Sequence, residues 1–388
     1  MSTEDTSHDA SGVKASAPAR GRGGPRAGSH PDTSVPGRAM SGTEAVVPTG
    51  ETSTVERDLR PVDSEQKAAP TFQLSLGHSL GLVLALVALI ALGAATGGDR
   101  FLSLSNMTTI LSQAAVIGVI SIGVTFVITA GGIDLSVGSV MGLATVWATT
   151  LGTQAMANDL HWIVLVLTAL AVGAGAGLVN GIIIAYGKVV PFIATLAMLV
   201  AARGFAEIIS GRQTQIVNVP EFTNAFRRSI LGVPVIVWIF ILVAVAGWFL
   251  LNRTTFGRRT IAVGGNAEAA RLAGIKVKRH TMLVFTLAGL CAGIGAVMML
   301  SRTTAGSSTH GSLMELDAIA AVVIGGTLLV GGRGTIVGTV LGVIIFAVLT
   351  NVLIQNNLDQ SVQALVTGGI IVGAVLLQQR FSREAKRR

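Results

Sequence analysis

A single cysteine, Cys291, occurs among the 388 residues, so no disulfide can form within the chain. Charged residues are scarce too, at 12%. A soluble domain carries about 25%, and a deficit of this size excludes an ordinary water-soluble globule. Aromatic residues reach only 5%, which leaves little material for a tight stacking site. Enzyme signatures are missing: there is no H-E-x-x-H, no G-x-S-x-G and no Cys/His cluster at metal-ligand spacing. There is no G-x-x-x-x-G-K-[ST] either, so nucleotide phosphates are not cradled by that route. The six histidines are scattered, and His8, His30 and His78 precede the first apolar run. No metal site, no catalytic residue and no cofactor held by this chain are expected.

Apolar length is what the chain has in abundance. Hydrophobic residues make up 51%, and they fall in continuous runs of 17 to 25 residues. Runs of that length cross a bilayer core as helices. The predicted spans are Ser79–Thr96, Thr109–Ala130, Leu135–Leu151, Trp162–Tyr186, Pro191–Ser210, Val233–Leu251, Thr281–Leu300, Leu313–Val330, Thr335–Ile354 and Ser361–Leu377. The fold class is therefore an all-α polytopic membrane protein with about ten transmembrane helices. The 48 glycines suit helices that pack backbone to backbone in lipid. With ten crossings both termini share one side. Fourteen Lys/Arg fall in the connections and C-terminus on that side, against five on the other. The excess positive charge predicts cytoplasmic N- and C-termini.

Residues 1–75 are a different material, rich in Ser, Thr, Gly, Pro and both charges. They have too few apolar residues to offset chain entropy, so a disordered cytoplasmic tail is predicted, followed by a transmembrane domain over 76–388. No apolar core near the start marks a signal peptide. The tail is net −2 and the remainder net +10. That positive charge is explained by membrane orientation, and nucleic-acid binding is not expected. An internal repeat also appears. "TAGGIDLSVGSVMG" (129–142) aligns without gaps on "LVGGRGTIVGTVLG" (329–342), with six identities. Two related halves, each with a broken helix, would produce such a match. So would a shared preference for small residues at a turn. Both copies fall on the same side of the membrane in this topology, which a simple inverted repeat does not predict.

The first copy poses a question of cost. It leaves one carboxylate, Asp134, in a break between two apolar runs, and buried charge is expensive in a membrane. Gly131 and Gly132 let the chain turn sharply. Asp134 then sits at the start of the third span, where the helix dipole favours negative charge, and Ser136 can join the cap. The connection 252–280 is the longest on the basic side. Its middle, "NAEAARLAGI", predicts a short helix with Asn266 as N-cap, Glu268 in the first turn and Gly274 at the end. Such a helix with basic flanks could lie on anionic lipid, or its small residues could form a docking surface for a soluble partner.

Four blocks carry a resemblance. They are "VITAGGIDLSVGS" (127–139), "NGIIIAYGKVVPFIATLAMLVAARG" (180–204), "GRRTIAVGGNAEAARLAGI" (257–275) and "ELDAIAAVVIGGTLLVGGRGTIVGTVLG" (315–342). From about Phe101 to Leu377 the chain resembles the permease subunit of bacterial ABC importers for ribose-type monosaccharides, within a wider family that includes branched-chain amino-acid permeases. The resemblance implies a bacterial plasma-membrane protein, a separate ABC ATPase subunit, an extracytoplasmic sugar-binding protein and a second permease copy. It implies that Gly265, Asn266, Glu268, Ala269, Arg271, Leu272 and Gly274 form the coupling region that docks on the ATPase. A sugar path needs donors and acceptors, and Gln113, Asn180, Thr195, Arg203 and Glu207 are the candidates; Arg203 and Glu207 are four apart, so they can pair on one helix face. Glu315 and Asp317, near the outer surface, have two readings: contact with the binding protein, or charge balance at a helix start. A self-sufficient secondary transporter or channel for a small polar solute is the alternative. A proton-coupled carrier would place acids deep in several spans, whereas here they cluster at span ends.

Overall fold

The computed structural model describes residues 72–373, apart from residues 360, 364, 367 and 371. Residues 1–71 of the segment with predicted disorder, and the basic C-terminus, lie outside the described residues; 72–75, expected in that segment, instead begin the first helix. The chain runs through α1 (Phe72–Leu102), α2 (Leu104–Thr129), α3 (Val137–Ala148), α4 (Leu151–Asp159), α5 (Ile163–Ala185) and α6 (Pro191–Ser210). After β1 (Gln215–Ile216), α7 (Pro220–Arg227), β2 (Ser229–Ile230) and β3 (Val233–Pro234) come α8 (Val235–Arg253), α9 (Thr255–Gly265) and α10 (Ala267–Leu272). The last part holds α11 (Val277–Thr303), β4 (Ala305–Gly306), α12 (Met314–Ile324) and α13 (Ile336–Gln355). The strands are two-residue pairs, β1 with β4 and β2 with β3.

Among the described residues seven helices are long and apolar enough to cross a membrane: α2, α5, α6, α8, α11, α13 and the Leu80–Leu102 part of α1. This is an all-α polytopic membrane protein. Two expected spans are shorter than the apolar run they occupy. The run Leu135–Leu151 forms a helix of 12 residues, because the chain leaves α3 at Thr149 and Thr150 caps α4. The run Leu313–Val330 forms only the 11 residues of α12, because Gly325 and Gly326 turn the chain, the latter at φ +87°. At 1.5 Å per residue these helices rise about 18 Å, against a hydrocarbon core of about 30 Å. Both are short helices buried inside the bundle.

Burial is graded from the centre outward. In α2 every residue from Ala114 to Thr129 is buried. Its hydroxyls are satisfied internally: Ser121 and Thr125 each donate to a carbonyl four residues back, at 2.8 Å. The outer helices α1, α6 and α8 instead expose large apolar side chains such as Leu84, Val200 and Leu242, as a lipid-facing surface does.

The most extensive helix packing joins α5 to α11. A Cβ at Gly173 would overlap the Gly289 carbonyl oxygen, and one at Gly289 would overlap that of Gly173. Gly175, two residues along α5, faces open space. Alanine in place of helical glycine is favourable by about 1 kcal/mol, whereas overpacking costs about 1–3 kcal/mol. Gly175→Ala should therefore leave thermal stability in detergent unchanged or slightly raised, and Gly173→Ala should lower it. Equal behaviour of the two variants would contradict this packing.

Candidate functional site

The break after α2 is a tight, buried turn. Gly131 takes φ +84°, a region that side chains disfavour, and Gly132 N donates to Val127 O at 2.9 Å. Asp134 is 1% exposed. Its Oδ1 accepts from Ser136 N at 2.8 Å and from Ser136 Oγ at 2.6 Å. The Ser136 hydroxyl also accepts from Asn180 Nδ2 on α5, at 2.9 Å. Thr195 on α6 donates to the Ile133 carbonyl at 3.2 Å. Two path candidates, Asn180 on α5 and Thr195 on α6, thus hold the turn, and Ser136 spends its hydroxyl on Asp134 rather than on capping α3.

Burial pushes the Asp134 carboxyl above its usual range, although both bonds from Ser136 pull it down. A neutral amide is therefore tolerated electrostatically and still accepts the Ser136 N–H. Asp134→Asn should keep most transport, whereas Asp134→Ala leaves a buried N–H unpaired at a cost of about 1–3 kcal/mol. Uptake assays at matched protein level check this order. Loss of uptake in Asp134→Asn equal to that in Asp134→Ala would assign the charge itself a role.

A second turn, 325–335, meets the first. Gly331, aligned with Gly131 in the repeat, also takes φ +84°, and Gly332 N donates to Thr129 O at 2.9 Å. Thr125 and Thr339 hydroxyls bond at 2.8 Å, joining α2 to α13. A third segment closes the group. A Cβ at Gly264, the penultimate residue of α9, would overlap the Thr129 carbonyl oxygen and lie 2.7 Å from Gly332 N. Backbone from both broken-helix turns and from the end of α9 therefore meets at Gly131, Gly264 and Gly331. The rest of α9 is fixed as well. Phe256 packs on Phe126 of α2 and on His280 of α11, with ring centroids 6.1 Å and 4.7 Å apart. Thr260 Oγ1 and His280 Nε2 lie 2.9 Å apart.

From that anchor the chain passes directly into α10. Asn266 Oδ1 accepts from Glu268 N at 3.1 Å and from Ala269 N at 3.0 Å. Gly274, at φ +84°, ends the motif, with Ile275 N donating to Ala270 O at 3.0 Å. Ala270 is 5% exposed and Leu272 is 75% exposed. Glu268, Ala269 and Arg271 are exposed with Leu272. Arg271 makes a two-pronged contact to Glu268, Nε to Oε2 at 3.0 Å and Nη2 to Oε1 at 2.5 Å. That contact holds the Glu268 carboxyl below its usual range and the Arg271 guanidinium above its own. One apolar tip and a fixed pair of charges thus point away from the bundle.

The remaining candidates lie elsewhere. Arg203 turns from Glu207 and reaches the loop 304–313, where Nη1 donates to the carbonyls of Ser308 and, at 3.1 Å, His310. Glu207 pairs with Arg212 at 3.2 Å instead. Gln113 is half-buried on α2. Sequence reasoning did not find α9 or the contact at Gly264. A signal was present in three glycine pairs, 131–132, 264–265 and 331–332.

A family model described as branched-chain amino acid transport system / permease component matches residues 106–375. The chain is similar to the ribose import permease protein RbsC of Escherichia coli (strain K12), 38% identical over 302 residues, covering 77% of this chain and 92% of that protein. It is similar to the protein of the same name in Bacillus subtilis (strain 168), 38% identical, covering 79% and 93%. It is also similar to the D-allose transport system permease protein AlsC of Escherichia coli (strain K12), 32% identical, covering 83% and 98%. No solved structure matches the chain.

Proposed function

The chain belongs to the family of branched-chain amino acid transport system permease components, and on that premise we propose that it forms the membrane path of an ATP-driven monosaccharide importer. It is a transport subunit, and ATP hydrolysis belongs to a separate ATPase. The observation that carries the coupling role is the exposed α10, joined through Gly264 to both broken-helix turns. A push on α10 reaches Gly131 and Gly331 through backbone contacts, without a flexible side chain between them. The sugar class is supported by the relatives named for ribose and allose. The working topology has ten crossings in two related halves with cytoplasmic termini, so α10 faces the cytoplasm. Arg203, Asn180, Thr195, Gln113 and Glu207 remain the proposed polar lining of the path. An external binding protein delivers sugar, and a second copy of the permease and lipid cover the apolar outer helices.

Reconstitution tests this reading. Proteoliposomes holding the permease and its ATPase should take up one of D-ribose, L-arabinose, D-allose or D-galactose only with ATP inside and binding protein outside. Uptake driven by a proton gradient without ATP would overturn it in favour of a secondary transporter.

A further inference from the structure

We propose that Arg203 and Glu315 form a station for the hydroxyl groups of the transported sugar, and that the loop 304–313 occupies this station until sugar displaces it. The inference rests on the monosaccharide reading above and adds the residues that meet the sugar.

The station lies against one face of α3. Gly138 and Gly142 are four residues apart, so they share that face one turn from each other. A Cβ at Gly138 would overlap both Glu315 Oε2 and the Gly311 carbonyl oxygen. A Cβ at Gly142 would stand 3.2 Å from Arg203 Nη1 and 2.7 Å from the His310 carbonyl oxygen. The two glycines therefore keep room for a cation, an acid and a loop backbone against a buried helix. Arg203 and Glu315 attract each other electrostatically, yet no ion pair joins them among the described residues.

Their hydrogen bonding is incomplete. Glu315 is 8% exposed, and its Oε2 is buried without a hydrogen-bond partner. His310 Nδ1, in the loop, and Ser139 Oγ, next to Gly138, are buried and unpartnered as well. Buried polar atoms are normally paired, so a bare carboxylate oxygen against the same helix face as an arginine marks a place where a ligand with hydroxyls fits. Arg203 directs Nη1 at two loop carbonyls, Ser308 and His310. Those carbonyls are neutral oxygen acceptors, as sugar hydroxyl oxygens are. A carbonyl, however, has no proton to give Glu315. A hydroxyl has one, so neighbouring sugar hydroxyls accept from Arg203 and donate to Glu315 Oε2 together. Sugar thus satisfies Oε2, the oxygen left without a partner although the backbone N–H groups of Glu315 and Leu313 bond to the carboxyl. The loop is a weaker occupant of the same donors, and a site filled this way does not become a deep trap.

The test uses the full importer in proteoliposomes, with whichever of the four sugars the wild type moves. Arg203→Gln and Glu315→Gln should each cut uptake at least about tenfold at unchanged protein level, the scale set by losing a charged hydrogen bond. Sugar-loaded binding protein should then stimulate ATP hydrolysis no more than empty binding protein does. Arg203→Lys keeps a donor and should recover part of both. If the glutamine variants do not reach the membrane, Glu315→Asp decides, because it keeps the charge and shortens the reach. Uptake within twofold of wild type in both glutamine variants, or in Glu315→Asp where those fail to insert, overturns the station and leaves the importer reading standing. Absence of ATP-dependent sugar uptake in the wild type overturns the importer reading itself.

Discussion

Gly264→Ala should cut sugar uptake by at least about tenfold, while Gly265→Ala, one residue later, should transport normally. Both changes add a single methyl group. At Gly264 that group meets the Thr129 carbonyl oxygen and the Gly332 nitrogen, which are backbone atoms of two different turns. Backbone packed from two sides does not yield as the end of a side chain does. At Gly265 no atom lies within 4 Å of the added methyl. Neither glycine has positive φ, so alanine is compatible with the local backbone at both. Overpacking of about 1–3 kcal/mol corresponds to about 5- to 150-fold in the population of a seated loop. The expected defect is in coupling: basal ATP hydrolysis persists, and stimulation by loaded binding protein falls with uptake. Equal uptake by the two variants would mean that the junction at Gly264 transmits nothing.

Ala269→Trp should abolish uptake with the permease at its normal level in the membrane. Ala269 is exposed on α10, beside the Glu268–Arg271 pair and close to Leu272. A large ring there blocks close approach of a partner but touches no spanning helix. Sugar still binds the external protein, while uptake and sugar-stimulated ATP hydrolysis fall together. Ala270→Trp differs in kind, since Ala270 is buried and anchors α10; there the protein level should drop too. Normal uptake by Ala269→Trp would leave α10 as a helix that lies on lipid.

Some of this was readable in the sequence for local reasons. The span Pro191–Ser210 coincides with α6, because Pro191 starts the helix at a position that needs no N–H and Gly211 ends it in the left-handed region. Asn266, Glu268 and Gly274 likewise outline α10, since caps and terminators act over a few residues. The helix α9 was not readable: "TFGRRTIAVGG" mixes β-branched residues with three glycines, all weak helix formers. It is helical because Phe256, Thr260 and Gly264 dock on α2, α11 and the second turn, which is tertiary information. The shortening of α12 is similar, as an apolar run continues across Gly325 and Gly326 where the backbone turns. For Arg203, spacing favours a pair with Glu207, yet its partners are carbonyls more than a hundred residues away. A local rule does not see such a partner.

Coupling through α10 is tested most directly by crosslinking. Single cysteines placed from Asn266 to Gly274, in a Cys291→Ala background, are combined with a cysteine-bearing ATPase subunit in membranes. Substitutions at Glu268, Ala269, Arg271 and Leu272 should crosslink strongly, and substitution at the buried Ala270 should not, giving a helical pattern that changes when ATP binds. An absence of crosslinks across all nine positions, in membranes that still take up sugar with ATP, would contradict this account.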